Sequence, residues 1–180
     1  EGTAVRALVD SGIPRVTWDK LGSVETDSGA AERHIERILA IPYIDVGAIR
    51  ARKFRVALDC VRGAGAVIVP ALLDRLGCTV TSIHMEPDGR FPRPPEPVAE
   101  NLKDLEEAVR HAKADLGFAV DPDVDRLGLV SDAGKAIGED YTLALASMLV
   151  LGHRKGPVVT NLSTSLVVED AVVRSGSKLT

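Results

Sequence analysis

The stretch FRVALDCVRGAGAVIVPALLDRLGCTVTSIHM, residues Phe54 to Met85, decides the fold class. FRVALDC reads as a buried strand, VRGAG as a glycine-containing turn, AVIVPALLDRLG as an apolar helix and CTVTSIHM as a second strand. Gly77 stands where a helix would end on a left-handed residue, a conformation glycine adopts without a Cβ penalty. A strand, a helix and a strand in this order mean two parallel strands joined by a right-handed crossover.

Working outward, the segment PDGRFPRPPEP carries five prolines, which forbid regular structure and stiffen the loop. From Val98 the spacing changes: Leu102, Leu105, Val109 and Ala112 fall at helical intervals, with Lys103, Glu106, Glu107 and Arg110 between them as a solvated face. ADLGFAV then reads as a buried strand, DPDVDR as a carboxylate-rich loop, and LGLVS as a strand close enough to its predecessor to pair antiparallel. GEDYTLALASMLVLGH predicts a helix apolar on most of its surface and therefore packed on both sides, followed by a new strand at GPVVTNLS and a helix at TSLVVEDAVVRSG. Upstream, AAERHIERILAI is an amphipathic helix with Ala31, Ile35, Ile38 and Leu39 inward, and YIDVGAIRARK leads into the first strand. GTAVRALVDSG and PRVTWDKLGSV read as the tail of another unit. The expected core is a three-layer α/β/α sandwich around a four-stranded mixed sheet, within residues 53–155, flanked by parts of two neighbours at 1–52 and 156–180.

Composition bounds the partners. With 180 residues, 45% hydrophobic, and 22 Lys+Arg against 26 Asp+Glu, the chain can bury a core and is too mildly acidic for disorder. Its net charge of −4 and scattered basic residues exclude a nucleic-acid footprint, leaving a small molecule as the expected partner. No apolar stretch reaches the ~18 residues of a membrane span. The start EGTAVRALVDSG has neither an initiator Met nor a signal layout, so the chain reads as cut from something larger. Cys60 and Cys78 are the two cysteines, and with no secretory mark they point to a reduced, cytoplasmic protein.

Asp121, Asp123 and Asp125 are the strongest chemical signal. At i, i+2 and i+4 of an extended loop their side chains point to one side and bring three carboxylates together. At ~5 Å and an effective dielectric of ~20, each pair repels by roughly 3 kcal/mol. A hard divalent cation is the natural neutraliser, and oxygen ligands in this number suit Mg2+ bound to a phosphate partner. Arg126 follows directly and can offer its guanidinium fork to phosphoryl oxygens.

Other patterns fit these residues less well. A haloacid-dehalogenase-like phosphatase would also place an Asp nucleophile, here Asp121, after an apolar strand, but Asp125 stands where that motif has Thr or Val. An EF-hand needs Gly and Glu where this chain has Arg126 and Asp132. A dinucleotide fingerprint from Gly63 and Gly65, with Glu86 as the ribose acid, lacks its third glycine, replaced by Ile68. His34, His84, His111 and His153 have no metal-ligand spacing and read as structural or solvated. Ser163 and Ser165 read as caps of the last helix, Glu139 and Asp140 as favourable charges at a helix start, and Cys60 as a small buried residue.

VALDCVRGAG, EPDGRFPRPPEP with ENLKDL, DPDVDRLGLV and GEDYTLAL, together with WDKLGSV and YIDVGAIR, resemble the α-D-phosphohexomutase superfamily, nearest its phosphomannomutase and phosphoglucosamine mutase branch. The resemblance implies all of domain two, at 53–155, with the end of domain one before it and the start of domain three after it. It also implies that Asp121, Asp123 and Asp125 are ligands of an Mg2+ cofactor whose fourth ligand is a phosphoserine absent from this chain. Arg126 matches the arginine of the active-site cleft. The implied reaction moves phosphate between the 1- and 6-positions of a hexose phosphate (mannose, glucose or glucosamine) through a hexose bisphosphate, and the chain alone is expected to be inactive. A different class of reading is a non-catalytic α/β metal- or phosphate-binding module. The chain departs from the family's DGDGDR loop at Pro122 and Val124, which makes the loop stiffer, and from its DCGNGAG turn at Val61 and Arg62.

Overall fold

The computed structural model describes residues 1–13 and 15–180; Pro14, inside the PRVTWDKLGSV segment assigned to a neighbouring unit, lies outside them. The elements run α1 (Gly2–Asp10), α2 (Ala30–Leu39), α3 (Val46–Arg52), β1 (Arg55–Asp59), α4 (Gly65–Arg75), β2 (Thr79–Ile83), α5 (Lys103–Ala112), β3 (Leu116–Val120), β4 (Leu127–Ser131), α6 (Asp140–His153) and α7 (Leu166–Arg174). Residues 1–30 and 31–180 form two compact units. In the first, α1 buries no residue and leaves Val5, Leu8 and Val9 exposed.

The sheet of the second unit has the order β2-β1-β3-β4, with β1 parallel to β2 and β3, and β4 antiparallel to β3. This is the expected mixed sheet, and alternation of side chains along its strands produces two cores. On one face Val56 and Leu58 of β1 and Val120 after Phe118 of β3 pack against Ala66, Val69 and Leu73 of α4. On the other, Ala57, Ala119 and Val130 pack against Leu105 and Val109 of α5. The helices therefore cover opposite faces, giving three layers. Helix α4 ends in a Schellman cap: Gly77 has φ 71°, its amide donates to the Asp74 carbonyl, and the Cys78 amide donates to the Leu73 carbonyl. Helix α5 ends the same way, but with Lys113 at φ 47° in the glycine position.

The consequence for function is topological. From β1 the chain crosses through α4 to β2 on one side, then returns through α5 to β3 on the other. The carboxyl ends of β1 and β3 thus flank a switch point, where open α/β sheets leave a crevice for ligands.

Four expectations need correction or addition. No strand forms over 156–163; Val158 makes an isolated parallel bridge with Leu179, and residues 161–163 form a turn whose Asn161 Oδ1 accepts from the Ser163 amide. Helix α6 is packed on one side only in this chain: Ala144 and Leu151 meet Val168, Ala171 and Val172 of α7, while Leu143, Leu145, Met148 and Leu149 are exposed. Glu106 and Arg110 are not simply solvated. Glu106, with 13% of its side chain exposed, accepts from the Ala136 amide at 2.9 Å, and Arg110 donates to the Gly134 carbonyl at 2.7 Å, so α5 clamps the turn after β4. Finally, YIDVGAIRARK contains a helix, α3, whose N-cap Asp45 accepts from the Ala48 amide at 2.9 Å.

Two measurements check this picture. Lys113→Gly removes the cost of a side chain in the left-handed region and should raise stability by about 1 kcal/mol in urea denaturation. The Ala136 amide holds the Glu106 carboxyl below its ordinary range. A depressed folded-state value gives stability that is present above the unfolded Glu value, about pH 4.3, and is lost as pH falls through the folded value. Glu106→Gln should therefore be less stable than wild type at pH 7, with the difference shrinking as pH falls below about 4.3 and through the folded-state value.

Candidate metal centre

Asp121 immediately follows β3 and Leu127 opens β4, so Asp121 to Arg126 close a hairpin whose last pair is Val120 and Leu127. The six residues are not extended. The Val124 amide donates to the Asp121 carbonyl at 3.2 Å, Pro122 sits at the second place of that turn, and Val124 takes φ 66°. The three carboxylates still converge, through the turn rather than through strand alternation: one oxygen from each of Asp121, Asp123 and Asp125 lies within 4.8 Å of the others. Asp121 is 1% exposed, whereas Asp123 and Asp125 face solvent.

Their electrostatics are divided. Burial pushes the Asp121 carboxyl up, but the Arg126 amide on Oδ1 (3.1 Å), the Asp125 carboxyl and the Arg126 Nε on Oδ2 (3.0 Å) together hold it below the ordinary range. Asp125 is held above the ordinary range by its hydrogen bond to Asp121 and by the charges of Asp121 and Asp123. Arg126 also lies 3.7 Å from Asp125. A donor set made only of carboxylate oxygens, open to solvent on one side, fits a hard divalent cation that keeps room for water or phosphate. Beside it, a cleft of about 460 Å³ runs from Asp125 and Arg126 past Glu139 to Asn161 and Ser165.

The turn after β1 supports this loop. The Ala64 amide donates to the Pro122 carbonyl at 2.9 Å. A Cβ on Gly63 would stand 2.6 Å from Pro122 Cα, and one on Gly65 would stand 2.7 Å from Val120 Cγ2. The two glycines are thus used for close approach to the acidic loop, and Glu86, the acid of the dinucleotide reading, pairs with the Arg62 guanidinium.

The model of the phosphoglucomutase/phosphomannomutase α/β/α domain II matches residues 32–134. The chain belongs to this family. It is 38% identical to a "Probable phosphoglucosamine mutase" of Methanopyrus kandleri over 178 residues, 97% of this chain and 38% of the relative. It is also 38% identical to a phosphoglucomutase/phosphomannomutase of Thermococcus kodakarensis, over 92% of this chain and 36% of the relative. The chain therefore spans little more than a third of these relatives. Among solved structures, a phosphoglucomutase/phosphomannomutase family protein of Burkholderia thailandensis superposes with a TM-score of 0.64 at 29% identity, covering 83% of this chain and 32% of its own. A Thermus thermophilus structure shares the fold with a TM-score of 0.73 at 24% identity, over 88% of this chain and 37% of its own.

For a member of the phosphoglucomutase/phosphomannomutase family, the turn after β1 is supported in a way that the sequence did not reveal. Asp59, wholly buried at the end of β1, accepts from the Val61 amide at 2.8 Å and from Arg93 Nε at 2.7 Å, and lies 3.1 Å from His84 Nδ1. A carboxylate inside the apolar run VALDC was the available signal, because a buried charge demands partners. His84, read as structural or solvated, is one of them and is also 3.6 Å from Asp104. Cys60 is buried as read, its thiol pushed up to about 12 by burial and the Asp59 charge. Ser165 caps α7, accepting weakly from the Val167 amide at 3.4 Å.

Gly63→Ala drives a methyl into the Pro122 backbone and should destabilise the chain by about 1–3 kcal/mol, with shifts in the amide resonances of residues 121–126. Gly156→Ala, where a Cβ meets nothing within 4 Å, is the control and should change neither.

Proposed function

We propose that this chain is the domain-two portion, with parts of domains one and three, of an Mg2+-dependent phosphohexomutase acting on a hexose phosphate of mannose, glucose or glucosamine. The assignment of residues 1–52 to domain one and its linker, 53–155 to domain two and 156–180 to domain three belongs to the same reading. The observation that carries it is the convergence of Asp121, Asp123 and Asp125 beside Arg126, at the sheet's switch point, in a chain of this family.

In this reading Asp121, Asp123 and Asp125 hold Mg2+, and a phosphoserine outside this chain completes the site. The bound ion supplies positive charge to the transferring phosphoryl group, as expected for a largely electrostatic reaction. Arg126 offers its fork to phosphoryl oxygens of the hexose phosphate and of the hexose bisphosphate formed during turnover. The Gly63 to Gly65 turn and Pro122 keep the carboxylates in register. The parent enzyme works in the cytoplasm in hexose or amino-sugar phosphate metabolism, and the chain alone lacks mutase activity. No helix of the described residues is long and apolar enough to cross a membrane.

Asp123→Asn is the test. An amide cannot supply the anionic charge that balances the cation. In the parent protein, phosphosugar isomerisation should fall by more than about tenfold, the lower limit for disturbing even an outer-shell partner of a metal. Thermal melting without metal should be unchanged or raised, since one of three mutually repelling charges is gone. Wild-type turnover by the variant, or isomerisation by this chain unaided, would remove the assignment.

A further inference from the structure

Arg126 bonds Asp121 twice. Its amide donates to Oδ1 and is part of the loop's shape; its Nε donates to Oδ2 from a side chain still 43% exposed. A cation held by the three aspartates would act on the same carboxylate that the guanidinium grips, and two positive charges on one acceptor repel. A second acceptor waits close by. Glu139, just ahead of α6, has its Oε2 buried with no hydrogen-bond partner, an unfavourable state for a carboxylate oxygen. Glu139 and Arg126 line the same cleft, and the Glu139 charge is near enough to help hold the Arg126 proton. An arginine bound to one carboxylate therefore shares its cleft with another whose Oε2 lacks a donor.

We propose that Arg126 is a two-position side chain coupled to the cation: it is bonded to Asp121 when the aspartates are free of metal and handed to Glu139 when a divalent cation takes Asp121. This rests on the metal reading above. In the second position the guanidinium stands over the cleft with its remaining N–H groups turned outward, so its full fork reaches a phosphorylated ligand only after the cation has bound. Glu139 is then a positioning residue for Arg126. Because coupling is reciprocal, whatever draws Arg126 off Asp121 tightens the hold on the cation.

The test uses the 180-residue chain, Mg2+ alone as the probe, and the 15N resonance of Arg126 Nε. Added Mg2+ should shift the amides of residues 121–126 and move the Nε–H signal along the same titration curve. Arg126→Gln, which removes the competing donor, should bind Mg2+ roughly tenfold more tightly. Glu139→Gln should weaken Mg2+ binding roughly fivefold in the wild-type background, about the worth of one hydrogen bond, and by less than about twofold in Arg126→Gln. Loop amides that respond while Nε stays fixed would overturn the handover. So would an equal effect of Glu139→Gln in both backgrounds, since that is through-space charge alone. Loop amides that never respond to Mg2+ would remove the metal reading itself, and the handover with it.

Discussion

The buried carboxylate of Asp59 is the constraint on which the functional end of the sheet depends. It sits at the last residue of β1 with no solvent, and its stability requires donors from three separate segments: the Val61 amide, Arg93 Nε and the His84 ring. Removing one partner of such a pair typically costs about 3–5 kcal/mol, because the charge left behind has nowhere to go. The proline-rich segment is thereby tied to the sheet through Arg93, whose Nη1 also donates to the carbonyls of Pro94 and Pro95. The strand β2 exit is tied through His84, whose own carbonyl accepts from the Arg62 amide at 2.8 Å. The turn that results carries Ala64 to the Pro122 carbonyl, so a charge at the end of the neighbouring strand sets where the aspartates' loop can lie.

The layers were legible because they rest on periodicity. Leu105 and Val109 fall on the buried side of α5, Ile35 is the buried residue of α2, and LGLVS pairs antiparallel because six residues cannot make a crossover. The three aspartates were legible as a cluster, but the reason given was wrong: a turn at Pro122 and a left-handed Val124 bring them together. What stayed hidden are contacts between distant segments. Nothing in the spacing of Asp59, His84 and Arg93 shows that they meet, and the clamp of Glu106 and Arg110 on the turn after β4 looks from sequence like ordinary helix surface. GPVVTNLS is rich in strand formers, yet it has only a bridge from Leu179 to pair with, and propensity without a neighbouring strand does not make one.

The two departures of the turn after β1 from the family pattern now have a physical description. Val61 and Arg62 have φ of 47° and 60°, the region that glycine and asparagine tolerate and that a β-branched residue resists. Val61 is fully buried, and the Arg62 guanidinium engages Asp88 at 3.1 Å as well as Glu86, so packing and ion pairing offset the strain. Strain of this kind persists only where the surroundings over-determine the conformation, and here Asp59, His84 and Gly89 all bond the turn's backbone or its neighbours.

The hairpin of β3 and β4 has a mechanical corollary. Both ends of the acidic loop are locked into one antiparallel ladder running from Leu116–Ser131 to Val120–Leu127, with the loop's floor pressed against the Gly63 turn. The chain at both ends of the loop is thus held by a β-ladder, while the turn at Pro122 and Val124 sets how the three carboxylates converge. The backbone of such a loop behaves as an anvil: a ligand meets side chains that can turn, on a chain path that stays with the sheet.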